Sequence, residues 1–114
     1  MNRYRLFKAG VDVNQGLKRM DNDIEFYEKM LKRFREDDYC RLLENALGQN
    51  DIEKAFQYAH AFKGAAGNLS LVRLNDALVP LVEELRKGDR ETAEQYLPEV
   101  KTAYDALIGA LGDS

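Results

Sequence analysis

The sequence predicts an all-α fold, an antiparallel up-and-down four-helix bundle with an N-terminal helical cap. Apolar residues recur at spacings of three and four along most of the 114 residues, which is the pattern of one face of an α-helix. The chain has only two prolines and lacks the alternating Val, Ile and Thr pattern typical of strands. The connections between the helical stripes are short, and short connections make neighbouring helices run antiparallel.

The N-terminal part, from Val11 to Phe34, is predicted to form the helical cap, packed on the side or end of the bundle. Its clearest apolar stripe consists of Ile24, Tyr27, Leu31 and Phe34. Asp21 or Asn22 can cap this helix, because a side-chain oxygen there accepts from the unpaired amides of the first turn. Residues 1–10 and the last three residues are expected to be frayed, as chain ends often are.

The bundle is predicted over about residues 37–111, within a single domain that covers residues 1–114. Gly48 is a suitable residue for the end of the first bundle helix, since glycine tolerates a positive φ. Asn50 can cap the second helix with Glu53 completing a capping box, and Asp89 can cap the fourth. The stripe of the second helix consists of Ile52, Ala55, Ala59, Phe62, Ala66 and Leu69.

Three places in these stripes are ambiguous. The polar segment 35–38 is either a break between helices or a polar turn of one helix. Pro80 and Pro98 lie inside the last two stripes, where each removes a backbone hydrogen bond and either kinks or interrupts its helix. The periodicity does not decide between these outcomes.

Composition excludes several classes of function. The chain has 17 Lys and Arg against 20 Asp and Glu, a net charge of −3 that argues against binding nucleic acid. The single cysteine, Cys40, excludes a disulfide framework and a thiolate metal cage, and it suits a reducing compartment. No apolar run approaches the roughly 20 residues that span a bilayer. We therefore expect a cytoplasmic protein that does not insert into membranes. We also expect a monomer, because the apolar stripes are used up inside the bundle.

The single histidine, His60, is the main candidate for chemistry. At 100° per residue it lies roughly 100° or more from the centre of its helix's core stripe, so it faces outward or sits at a flank. Lys63 and Gly64 lie about one turn further on, and Gly67 one turn beyond them. Mid-helix glycine costs about 1 kcal/mol relative to alanine, so these glycines need a reason. They let another backbone approach an exposed nucleophile, or they serve tight helix–helix packing. The alternative interpretation of His60 and Lys63 is that both are ordinary solvent-exposed side chains with no role in chemistry.

Other chemistries lack their residues. A Cys40–His60 dyad is conceivable, but Cys40 lies beside a core stripe and is best interpreted as a small buried hydrophobe. A metal site in a bundle uses a Glu-x-x-His motif, and the position three before His60 is Gln57. No nucleotide-binding loop is present, so the chain has no kinase core. No metal or cofactor is expected.

The segment HAFKGAAGNL, residues 60–69, closely resembles the histidine-containing phosphotransfer (HPt) domains of bacterial phosphorelays. The resemblance extends over about residues 10–111. It implies a four-helix bundle whose His60 carries a phosphoryl group to and from receiver-domain aspartates in two-component signalling. Lys63 would assist the phosphoryl group and Gly64 would leave room for the partner's active site. The implied partners are response-regulator receiver domains and a sensor or hybrid histidine kinase, with Mg²⁺ bound by the receiver.

Two positions depart from the pattern of that family. Ser70 stands where the family commonly has glycine, and Val82 lies near the place where many members have a glutamine that orients the imidazole. Gln57, one turn before His60, is our substitute for the orienting group. Phe56 lies near the same face and is predicted to contact the partner, with a position at the flank of the core as the alternative.

Two other functions remain open. The phosphotransfer domain of a chemotaxis-type kinase receives its phosphoryl group from a kinase domain instead of a receiver. A helical scaffold would bind a receiver without carrying phosphate, although such a binder has no need of the free imidazole of His60.

Overall fold

The computed structural model of the protein describes residues 1–112. Every regular element in this range is an α-helix and none is a strand, which confirms the predicted all-α class. The elements are α1 (Arg3–Lys8), α2 (Val13–Arg19), α3 (Ile24–Glu36), α4 (Tyr39–Gly48), α5 (Ile52–Asn68), α6 (Val72–Arg86) and α7 (Arg90–Leu111). Asp113 and Ser114, where fraying was expected, lie outside the described residues.

Helices α4 to α7 pack in chain order, and α4 also contacts α7. The interior of this group is built around the aromatic ring of Phe62 on α5. That ring stacks on Phe34 at 5.9 Å and on Tyr39 at 5.6 Å between centroids, and it meets Tyr104 edge-on at 5.8 Å. Because these three partners lie on α3, α4 and α7, the inner face of α5 is held from several sides.

The expectation that residues 1–10 are frayed is wrong. Residues 3–8 form α1, capped by the side chain of Asn2, which accepts from the Arg5 amide. Leu6 is only 1% exposed, and the Arg5 guanidinium donates to the Gly109 carbonyl at 2.7 Å. Burial of an apolar side chain and a bond to α7 tie down a segment that local sequence alone leaves loose.

The start of α5 and the start of α3 use caps other than those predicted. Asp23 caps α3 by accepting from the Phe26 amide, whereas Asp21 and Asn22 adopt left-handed φ values of 53° and 59°. Asp51, not Asn50, caps α5. Asn and Asp tolerate the left-handed conformation better than other non-glycine residues, so these residues form the turns that precede the caps.

Three further positions at the ends of helices were considered in the sequence: Ile24, Gly48 and Asp89. Ile24 is 46% exposed, because it is the first residue of α3 and lies beyond the core. Gly48 is the last residue of α4, and the left-handed residue of that connection is Asn50, with a φ of 58°. Asp89 caps α7 as predicted, accepting from the Thr92 amide at 3.1 Å.

The ambiguous places are now decided. Asp37 ends α3 and Asp38 begins α4, so the polar segment is a break between two helices. Pro80 and Pro98 lie inside α6 and α7, and neither interrupts its helix. Each proline lacks the amide that would donate within its helix, and the turns on either side of it are nevertheless helical.

The N-terminal helices are fastened to the turn that follows α5. The Tyr27 hydroxyl, on a side chain with 0% exposure, donates to the Leu69 carbonyl at 2.7 Å. Gly16 packs against this ring so closely that a Cβ there would clash with the hydroxyl. The Asp12 amide donates to the Ser70 carbonyl at 2.9 Å. We call these four residues with Ser70 the N-terminal clasp.

Replacing Tyr27 with phenylalanine should lower the free energy of unfolding by about 1–3 kcal/mol, because the buried Leu69 carbonyl loses its donor. Urea unfolding of wild type and Tyr27→Phe measures the difference. Tyr4→Phe is the matched control, since Tyr4 is 68% exposed and should change stability little. Equal midpoints for wild type and Tyr27→Phe would show that the bond contributes nothing.

Alkaline pH should erase this stabilisation. Burial, and secondarily the charge of Asp12, raise the pKa of Tyr27 from 10.0 to about 12. The unfolded chain therefore loses this proton first, and stability falls as pH rises from about 10 to about 12, on the order of 2–3 kcal/mol in all. We expect the gap in unfolding free energy between wild type and Tyr27→Phe to shrink across that window. A gap that stays constant would contradict the raised pKa.

Candidate functional site

His60 lies on the outward face of α5, as its position relative to the core stripe predicted. Its side chain is exposed, whereas Ala59 and Phe62 on either side of it have 0% exposure. The inner residues lock the helix in place and the imidazole projects from the opposite side. An exposed imidazole on a well-packed helix is accessible to a macromolecular partner without any unfolding.

The imidazole packs against another ring. The centroids of the Phe56 and His60 rings are 5.8 Å apart with an angle of 32° between the planes. The guanidinium carbon of Arg86 lies 5.5 Å from the centroid of the Phe56 ring, and Arg86 Nε lies 3.5 Å from a carboxylate oxygen of Glu83. Phe56 is half-buried against the core. Phe56 therefore bridges α6 and the imidazole.

The two glycines after His60 have different surroundings. A Cβ built on Gly64 would meet no neighbouring atom within 4 Å, so the surface there is open. A Cβ on Gly67 would come within 3.3 Å of the Asn75 side-chain amide. Gly67 therefore fits the helix-packing explanation, and Gly64 leaves bare surface beside the histidine.

Lys63 is half-buried, and α6 contacts its backbone. The Asn75 side chain donates to the Lys63 carbonyl at 3.1 Å. None of the ion pairs within residues 1–112 involves the Lys63 ammonium. A positive group thus remains available one turn from His60, where an incoming anion would meet it.

Gln57, the predicted orienting group, makes no hydrogen bond to the imidazole within residues 1–112. Val82 is 1% exposed and belongs to the core, so it points away from the surface that carries His60. Gln57 is exposed on α5, and its role as the orienting group stays a prediction.

Ser70, the other departure, forms the left-handed turn itself. Its φ is 58°, its side chain is 3% exposed, and its hydroxyl donates to the Gln15 side-chain oxygen at 3.0 Å. Glycine adopts this conformation without steric cost, which explains why a bend of this kind accepts either residue. The serine gains a hydrogen bond that glycine could not make.

Two substitutions of Ser70 separate these effects. Ser70→Ala and Ser70→Gly both remove the hydroxyl, but only alanine keeps a Cβ in the left-handed region, at a cost of about 1–2 kcal/mol. We expect Ser70→Gly to be more stable than Ser70→Ala by about 1 kcal/mol in chemical denaturation. Equal stabilities would mean that the turn relaxes out of the left-handed region.

Sequence reasoning missed three residues on α6 that shape this surface. Asn75 and Arg86 contact α5 at positions flanking His60, and Val79, between them on the same helix, is an exposed apolar residue at 41%. The signal for Val79 was present, because it lies off the buried leucine stripe of α6. Nothing in the sequence pairs Asn75 with Lys63 or Arg86 with Phe56, since those contacts depend on the register between two helices.

The remaining chemical candidates are weak. Burial, and then the charge of Glu44, raise the pKa of the Cys40 thiol to about 11, so it is protonated at neutral pH and unsuited to a nucleophilic dyad. No group of three or more potential metal ligands occurs within residues 1–112. No helix in the same range is both long and apolar enough to cross a membrane.

Comparison with known proteins gives one match. A protein-family model described as the Hpt domain matches residues 28–110, which is more than half of the chain. This range includes α4 to α6, α7 except its last residue, and all of the His60 surface, and it excludes α1 and α2. The curated proteins and the solved structures gave no match.

Proposed function

Because this chain belongs to the Hpt domain family, whose function is histidine phosphotransfer in two-component signalling, we propose that His60 is the residue that carries the phosphoryl group. Hpt domains generally interact with kinases and receiver domains. For this chain we propose receiver-domain aspartates as donor and acceptor, with the protein acting as a monomeric carrier.

The observation that supports this proposal most is the exposed imidazole beside the open surface of Gly64. A receiver keeps its aspartate in a recessed acidic site, so the histidine must enter that site. A side chain at position 64 would collide with the rim, whereas glycine lets the two backbones approach. The half-buried Lys63 places a positive charge where it can meet the transferred phosphoryl group.

Transfer is then a nucleophilic displacement at phosphorus. The His60 Nε2 lone pair forms the N–P bond while the P–O bond to the aspartyl carboxylate breaks, and the electron pair leaves with the carboxylate. Mg²⁺ bound by the receiver would supply positive charge to the phosphoryl oxygens. The same step in reverse passes the group to a second receiver. The contribution of this chain is positioning, which can supply several orders of magnitude in rate.

We propose a docking surface that spans α5 and α6. His60 and Gly64 lie on α5, and the exposed Val79 lies on α6. The end of α5 lies beside the start of α6, through Asn75 and Lys63. This pairing and the short connections support an antiparallel up-and-down order for α4 to α7, which keeps the two exposed faces side by side.

The function is tested by incubating the protein with a panel of receiver domains that carry ³²P-labelled phosphoaspartate and Mg²⁺. We expect label on this chain that is lost in acid and survives alkali, as a phosphoramidate does. Label supplied by a histidine kinase domain but by none of the receivers would favour the kinase-fed alternative. Binding to receivers without any label would favour the scaffold.

A further inference from the structure

The imidazole of His60 must be oriented by some group, because in-line transfer requires the Nε2 lone pair to point at the phosphorus. The torsion angle that sets the plane of a histidine ring has a broad distribution with roughly two-fold symmetry when nothing restrains it. Within residues 1–112, the aromatic ring that packs against the imidazole is that of Phe56, at 5.8 Å between centroids. We propose that Phe56 is the positioning residue of His60, and that Arg86 holds Phe56 in place. This inference rests on the proposed function.

The geometry of the pair is that of ordinary aromatic packing. A centroid separation of 5.8 Å falls inside the range of about 4.5–7 Å in which aromatic rings attract one another. The tilt of 32° between the planes matches an offset, inclined arrangement. Packing of this kind restricts the plane of the imidazole without consuming either ring nitrogen, so Nε2 stays free to react.

Phe56 can act this way because it is itself restrained. It is half-buried against the core at its base, and the guanidinium carbon of Arg86 lies 5.5 Å from its ring centroid. Glu83 lies one turn before Arg86, and one of its carboxylate oxygens is 3.5 Å from Arg86 Nε. A phenylalanine side chain has only two torsions, so fixing it costs less entropy than fixing a long polar side chain.

Ring packing differs from a hydrogen bond in what it leaves free. A hydrogen-bonding partner would select one tautomer of the imidazole, because it engages one of the two nitrogens. Phe56 fixes the plane but engages neither nitrogen. The expected signature is therefore an imidazole with a restricted rotamer and both tautomers populated.

Nuclear magnetic resonance of the imidazole tests this directly, and the chain's single histidine makes the signals unambiguous. Three-bond couplings report the His60 rotamers, and ¹⁵N shifts report the tautomers, in the free protein without any partner.

We expect a single dominant rotamer in wild type and in Phe56→Tyr, and averaged rotamers in Phe56→Ala. Arg86→Gln, a surface change that spares the core, should give partial averaging even if Phe56→Ala folds poorly. Phe26→Ala removes an exposed phenylalanine from α3 and is the matched control, with no change expected.

Transfer kinetics separate positioning from docking. With a receiver that passes the labelling test, lost positioning should lower kcat by about twofold to tenfold with KM unchanged, since an aromatic pair stabilises its geometry by that order. A raised KM with the wild-type rotamer would make Phe56 a docking contact and overturn the proposal. So would averaged rotamers in wild type, or unchanged rotamers in both Phe56→Ala and Arg86→Gln. The rotamer result stands whether or not any receiver transfers phosphate, so failure of the proposed function is distinguishable.

Discussion

His60→Gln is expected to carry no acid-labile phosphoryl label from any receiver that labels the wild type. A glutamine amide has a similar reach and can donate hydrogen bonds, but its nitrogen has no lone pair available for attack on phosphorus. Since His60 is exposed and points away from the core, the variant should keep its helix content and thermal midpoint. We therefore expect a complete loss of phosphoryl transfer with a negligible change in stability. Labelling followed on a gel measures the transfer, and circular dichroism measures the stability.

A second exposed position on α5 supplies the control for that experiment. Lys54→Gln changes an exposed side chain on another face of the helix, and its labelling should equal that of the wild type. Acid-labile label that persists in His60→Gln would contradict the assignment and show that another side chain accepts the phosphoryl group. Loss of label in both variants would indicate a general defect of the protein preparation.

Gly64→Trp should slow transfer by about 100-fold or more, because displacing reacting atoms by about 1 Å can cost that much. Gly64 is exposed and a Cβ built on it meets no atom within 4 Å, so a side chain there extends from open surface and we expect it to obstruct only the complex with a receiver. The variant should be as stable as the wild type or slightly more so, because mid-helix glycine costs about 1 kcal/mol. Its defect should appear in kcat/KM for the receiver.

Gly109→Trp is the matched control for this substitution. Gly109 is an exposed glycine within α7, and a Cβ there also meets no atom within 4 Å. We expect wild-type transfer from this variant. Equal transfer by Gly64→Trp and the wild type would show that the receiver does not approach α5 closely at this point, and the docking surface would then have to lie elsewhere.

The sequence could predict the outward position of His60 because helical periodicity relates each residue to its own helix. Phe62 and Ala66 define the buried side of α5, so the exposed side follows by rotation alone. The same reasoning failed at the helix starts. Asn50 and Asp51 are adjacent residues that can both cap, and only the backbone conformation decides which of them does so.

Helical periodicity does not predict which residues of different helices contact one another. The bond from Tyr27 to Leu69 joins residues 42 positions apart, and Tyr27 looked like any other member of the stripe on its helix. Gly64 and Gly67 are the same residue type on one helix. Only the position of Asn75 on α6 shows that Gly67 lies in a helix–helix contact whereas Gly64 does not. Pairings of this kind depend on helix register, which no local pattern encodes.

The N-terminal clasp has a consequence for the order of folding. Its bonds join Tyr27 to Leu69, 42 positions apart, and Asp12 to Ser70, which lie still further apart in sequence. Helices α5 and α6, in contrast, meet across a turn of only a few residues. Local contacts close at lower entropic cost than distant ones, so the α5–α6 hairpin should form before the clasp does. The surface that carries His60 would then assemble first. The contacts of the N-terminal helices would form after the folding transition state, so they would mainly lower the rate of unfolding.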